Sequence, residues 1–132
     1  MNHHVPTKGF TLLEMTVVIM VLLTLIGGGF FVAQQYGDWQ MARTASEDLR
    51  SVYAAQRMFL ADNPTATVRD ITASQLIPYL ANRATSLPTV ESLEGNTLTI
   101  RVNVIPPNID NGSGGVYDPS GSTADSLWDA GE

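Results

Sequence analysis

The chain reads as an α+β protein, one long amino-terminal helix followed by a small antiparallel β-sheet. Three observations predict this. Residues 15–33 carry no charge and are almost entirely apolar. Beyond Asp38 the apolar residues recur at alternating steps of three and four, the mark of a helix with one buried face. Residues 97–104 alternate strictly between apolar and polar, the mark of a half-buried strand. At 132 residues there is room for one small domain beside the apolar segment.

The order of parts at the amino terminus is informative. Lys8 and Gly9 precede Phe10-Thr11-Leu12-Leu13-Glu14, and the apolar run follows. A secretory signal peptide is cut behind its apolar stretch and loses it. A cut after Gly9 would instead keep that stretch, with Phe10 as the new terminus. The run covers about 28 Å at helical rise, enough to cross a hydrocarbon core. Lys8 lies before the run and the acidic body after it, so the positive-inside tendency puts the amino terminus in the cytoplasm. His3 and His4 read as polar leader residues, with a metal pair as the other reading.

Glu14 interrupts the run. A charge within a span costs about 2.5–3.5 kcal/mol on insertion scales and usually has a partner. Two readings stand side by side. In one, Glu14 sits solvated at the membrane edge. In the other it pairs with the α-amino group that cleavage creates on Phe10, one helical turn away, within a chain or between chains stacked with an axial offset.

The segment Lys8-Gly9-Phe10-Thr11-Leu12-Leu13-Glu14 resembles the processing site of type IV pilins and of the pseudopilins of type II secretion. The resemblance covers residues 8–33, and the rest is similar in architecture alone. It implies residues 1–9 as a leader removed by a prepilin peptidase, 10–36 as the membrane and assembly half of the helix, and 37–132 as a pilin-like extracytoplasmic domain. It implies cleavage at Gly9, N-methylation of Phe10, and Glu14 as the carboxylate that meets a neighbour's Phe10 amine. The implied partners are other pilin-like subunits, the peptidase, an inner-membrane assembly platform and lipid. The implied location is the bacterial inner membrane, single-pass, with the carboxy-terminal domain in the periplasm or outside the cell, and then an assembled filament. The absence of a cysteine pair and the acidic tail lean the expectation toward a pseudopilin. A membrane-anchored module that never polymerises is the rival expectation.

The amphipathic half of the helix follows. Ala42, Ala45, Leu49, Val52, Gln56 and Phe59 form one stripe, with Gln56 its polar exception. Arg43, Glu47 and Arg50 fall on another face at ion-pair spacing. Asn63-Pro64 ends the helix, since proline disfavours helical geometry in the residue before it. Gly27-Gly28-Gly29 lies within the run, and each glycine costs about 1 kcal/mol relative to alanine. Close helix packing is one reading, and a segment that melts or stretches on leaving the bilayer is the other. Many pilins carry a helix-breaking proline near this region, whereas here none stands between Gly29 and Pro64.

Residues 72–80 predict a short helix, with Thr72 and Gln75 spaced as a capping box and Pro78 limiting it. Leu98, Ile100, Val102 and Val104 are expected to face the long helix. Glu94-Gly95-Asn96 reads as a turn, so residues 90–93 supply the partner strand, and Pro106-Pro107 ends the second.

The tail, residues 108–132, is rich in Gly, Ser and Asp. Asp110, Asp118, Asp125 and Asp129, with Asn111 and Glu132, place oxygens among turn-forming residues, and calcium takes six to eight such ligands. Some pseudopilins bind calcium in a comparable loop, so the resemblance makes these residues calcium candidates. A solvated acidic loop is the alternative, and the spacing matches no EF-hand. Tyr117 and Trp128 either fold the tail back onto the sheet or form a contact surface.

Composition excludes several classes. Net charge is −6, which disfavours nucleic acid. There is no cysteine, and both histidines lie in the leader. Cysteine and Ser-His nucleophiles are therefore absent from the chain after Gly9. Gly112-Ser113-Gly114-Gly115 lacks the lysine of a phosphate-binding loop. The expectation is no enzyme and no cofactor beyond a structural calcium ion.

Overall fold

The computed structural model describes residues 1, 3 and 8–131. His4 and Glu132, noted above as possible ligands, lie outside the described residues. The fold is α+β as expected. It divides into two compact units, Met1–Tyr36 and Gly37–Glu132.

One helix, α1, spans Leu12–Asp62. In the first unit its side chains are exposed, including Leu22, Leu25, Phe30 and Phe31. Gly27, Gly28 and Gly29 stay helical, and a methyl group built on any of them meets nothing within 4 Å. No contact among the described residues therefore requires their small size. Two hydroxyls lie inside the run, and both are satisfied within the helix. Thr16 Oγ1 donates to Leu12 O at 2.7 Å and Thr24 Oγ1 to Met20 O at 2.9 Å. That back-bonding leaves an apolar surface with no polar side-chain group in need of water.

In the second unit the stripe is buried as the periodicity predicts. Ala42, Ala45, Leu49, Val52, Gln56 and Phe59 all lie inside. They meet Ile71, Leu76, Val90, Ile100, Ile109, Trp128 and Ala130 in one core. The larger of these side chains each contribute about 1.5–3 kcal/mol on full burial. The helix stops at Asp62, just before Asn63-Pro64, and the carbonyl of Phe59 accepts both Asn63 N at 2.9 Å and Asn63 Nδ2 at 3.0 Å.

The next segment is folded onto the end of α1. Helix α2 covers only Ala73–Leu76, opened by the Thr72/Gln75 capping box, with Thr72 N donating to Gln75 Oε1 at 2.9 Å. Pro78 lies in a tighter 3₁₀ turn, Ile77–Tyr79, that replaces the rest of the expected helix. Tyr79 packs edge-on to Phe59 with ring centroids 6.0 Å apart, and its hydroxyl donates to Asp62 Oδ2 at 2.9 Å.

The β region departs from the single hairpin expected. Strand β1 (Val90–Glu91) pairs antiparallel with β2 (Thr97–Leu98), in the register Val90↔Leu98. The turn between them is the Gly95 turn foreseen, with Gly95 at φ 84° and Ser92 N donating to Asn96 O at 2.8 Å. The long strand over 97–104 is broken, however. Strand β3 holds only Ile100–Arg101, and it pairs with β4 (Asn108–Ile109), which directly follows Pro107. Of the four alternating residues only Ile100 is buried; Leu98, Val102 and Val104 are half-buried.

Gln56 supplies the physical reason. It is fully buried, and its Nε2 donates to Val102 O at 2.8 Å and Val104 O at 3.0 Å. These carbonyls turn toward α1 and leave the ladder. The polar exception in the stripe is thus the residue that ends β3.

Candidate functional site

Gly9 and Phe10, the residues at which cleavage and methylation are expected, stand immediately before α1. Gly9 and Phe10 are exposed and outside any helix or strand, and Phe10 keeps 80% of its surface. An accessible peptide bond outside regular secondary structure is what a peptidase requires. Phe10, Leu13, Glu14, Val17 and Val18 border one shallow apolar groove. Phe10 and Glu14 therefore share a surface, as their spacing predicts.

The Glu14 carboxylate has a partner that sequence reading missed. Thr11 N donates to Glu14 Oε2 at 3.1 Å, and Glu14 N donates to Thr11 Oγ1 at 3.2 Å. These reciprocal bonds are a capping box that satisfies two of the unpaired donors at the start of α1. The negative charge also stands where the helix dipole favours it. The signal was legible, because Thr11-Leu12-Leu13-Glu14 has the Ser/Thr-x-x-Glu spacing. In the uncut chain the Phe10 nitrogen is a neutral amide, so the carboxylate falls to the cap.

The four tail aspartates do not come together as one ligand set. Asp110 forms an ion pair with Arg101 at 3.3 Å and accepts from Gly112 N at 2.9 Å, and these two partners, the amide first, hold its carboxyl below the usual range. Asp118 closes a local turn, accepting from Ser120 N at 3.1 Å and Ser120 Oγ at 2.5 Å. Asp118 and Asp129 border one cavity of about 280 Å³ beside Trp128 and Pro107. Among the described residues no three histidine, cysteine or acidic side chains are placed to hold a metal ion.

Asp125 and Asp129 do meet each other. Asp129 Oδ2 is buried with no donor in reach, and the Asp125 carboxyl lies against it. Burial, reinforced by Asp125, pushes the Asp129 carboxyl up. Burial acts on Asp125 too, but the Leu127 amide and the Asp129 carboxyl outweigh it and hold Asp125 down. Two carboxylates repel, whereas a proton on Asp129 turns the contact into a hydrogen bond.

These turns fold the tail back onto α1. Trp128 is 3% exposed, at φ 63°, and crosses Tyr117 edge-on with centroids 5.2 Å apart. Its backbone N donates to Ala42 O at 3.3 Å. Arg50, expected to pair along its own helix, instead donates from Nη2 to Ser126 Oγ at 2.6 Å and from Nε to Ala130 O at 3.1 Å. Arg43 lies over the Trp39 ring at 5.6 Å, and the ion pair among the described residues is Arg101 with Asp110. Of the two readings of Trp128, burial holds. A separate groove of about 400 Å³ runs between α1 and β1 past Asp48 and Glu91, and none of the processing residues borders it.

Comparison with known proteins finds no matching family model, curated protein or solved structure. Helix α1 contains a stretch long and apolar enough to cross a membrane, none of it buried within the chain.

Proposed function

We propose that the chain is a structural subunit of a type II secretion pseudopilus or a related pilus-like filament. It enters the inner membrane with its amino terminus in the cytoplasm, and a prepilin peptidase cuts after Gly9 and methylates Phe10. The apolar half-helices then leave lipid and bundle at the filament core, and the acidic domain stays outside the cytoplasm.

One observation carries this reading: Lys8-Gly9-Phe10, which resembles a prepilin cut site, and one carboxylate, Glu14, open a helix whose apolar window is unburied among the described residues. Residues such as Leu22, Leu23, Leu25 and Ile26 are more than half exposed. Full burial of each is worth about 1.5–3 kcal/mol, so the surface demands lipid or other helices. Lipid alone would satisfy an anchor, but Glu14 gains nothing from lipid. Its capping bonds to Thr11 hold one of the two carboxylate oxygens, and the other remains for a neighbour's Phe10 amine. Such a pair specifies axial register more than it adds net stability.

Intact mass and amino-terminal sequencing of the protein from native membranes test the proposal. The expected chain begins at N-methylated Phe10. A chain still beginning at Met1, with the peptidase present and active on another substrate, overturns it in favour of a static anchored module.

A further inference from the structure

We propose that Trp39 and Arg43 form a lipid-headgroup anchor at the outer membrane surface. The inference rests on the membrane-spanning reading of the apolar run and adds to it the position of the water boundary.

Ala33 closes the run, and Trp39 follows six residues later. That is about 9 Å along the helix, and helical side chains lean back toward the amino terminus, here toward the bilayer. The headgroup layer spans roughly 5–8 Å on each side of a 30 Å core, so the indole reaches back into it. Trp39 is 47% exposed although the buried stripe of the domain starts three residues on, at Ala42. A large ring with one polar N–H, about half exposed at that point, has the amphipathic form enriched at membrane interfaces.

Arg43 supplies the charge. It stands one turn beyond Trp39, and its guanidinium lies over the indole at 5.6 Å. Among the described residues no carboxylate lies within ion-pairing distance of it. A planar cation stacked on an interfacial ring presents its remaining donors to phosphate, which accepts them in pairs. The chain is acidic, with a net charge of −6, and Arg43 is the first cation after the apolar run, where anionic headgroups would attract it.

The protein carries its own reporter, because Trp39 and Trp128 are its two tryptophans and Trp128 is buried. The full chain with Trp128→Phe is reconstituted into phosphatidylethanolamine–phosphatidylglycerol vesicles. These contain lipids brominated near the headgroup or near the chain end. If Trp128→Phe does not fold, the Trp39 signal is taken as wild type minus Trp39→Phe. The expected result is headgroup-proximal quenching at least about twofold above deep quenching. Arg43→Glu is expected to lower the shallow quenching while the protein still floats with the vesicles. Co-flotation with Trp39 quenched by aqueous iodide and by neither lipid overturns the anchor and leaves the span intact. Failure to float overturns the span and the anchor with it.

Discussion

Gln56 tests the account of the fold most directly. It is fully buried, its amide nitrogen bonds two carbonyls of the irregular segment after β3, and its Oε1 has no partner among the described residues. Two neutral hydrogen bonds are worth about 1 kcal/mol each, so removing the side chain loses about 2 kcal/mol. Removing the orphaned oxygen returns about 1–3 kcal/mol of desolvation penalty. Gln56→Leu leaves the Val102 and Val104 carbonyls without that donor but keeps most of the volume, so it costs less than a variant that also opens a cavity. Gln56→Ala adds a cavity, and its total rises to about 3 kcal/mol. Gln56→Glu sets a buried carboxylate against two carbonyl oxygens and costs most at neutral pH. That carboxyl's folded pKa is raised, so the folded state holds the proton more tightly. Stability of this variant is greatest below the unfolded value of about 4.3 and falls as pH rises through the raised one. The assay is urea unfolding of the full chain in micelles, followed by Trp128 fluorescence in a Trp39→Phe background. The order Leu, Ala, Glu is the expected ranking of damage. A Leu variant as unstable as the Ala variant would refute the reasoning, because Oε1 would then have to be a satisfied group.

Three further outcomes follow from the tail and the cap. Asp129→Asn is expected to raise stability at pH 7 by removing a buried charge from beside Asp125, since an amide donates where the carboxylate cannot. Because the Asp129 folded pKa is raised, that gain shrinks as pH falls toward its unfolded value, and thermal melts from pH 3 to 8 measure it. Gly131 has φ +67°, and an added Cβ would lie 2.7 Å from Ser126 Oγ and 3.2 Å from Arg50 Nη2. Gly131→Ala is therefore expected to cost more than Gly95→Ala, which meets open space and carries only the left-handed penalty of about 1–2 kcal/mol; denaturant midpoints compare the two. Glu14→Gln keeps an oxygen for the Thr11 amide but loses the charge, whereas Glu14→Ala loses both. Both variants are expected to insert and neither to assemble, as read by membrane fractionation and filament imaging. Assembly of Glu14→Gln with failure of Glu14→Ala would reduce Glu14 to a helix cap.

Several features were legible because they depend on neighbours in sequence. The stripe from Ala42 to Phe59 is a matter of helical period, and every member of it is buried. The stop at Asp62, the Thr72/Gln75 cap and the Gly95 turn each rest on a conformational preference of a few adjacent residues. The Thr11/Glu14 cap belongs to the same class, and reading Glu14 only as a charge obscured it.

The features that were not legible join residues far apart in the chain. Alternation along 97–104 states which way side chains point and is silent on where carbonyls go. Gln56, 46 residues before Val102, decided that. Strand β4 is two residues long and follows two prolines, too short to show a period, and only its pairing with Ile100–Arg101 makes it a strand. Arg50 had nearby Glu47 as its apparent partner, yet Ser126 and Ala130 claimed it from 76 and 80 residues away. The acidic tail looked like one ligand loop because sequence lists its carboxylates in a row. Folding shared them among an arginine, local amides and each other. The sequence by itself determined the helix, its apolar and amphipathic halves, its caps and the Gly9–Glu14 constellation, since short-range sterics and periodicity suffice for these. Only the tertiary structure decided which polar groups meet, because that depends on which donors and acceptors the packed core leaves without water.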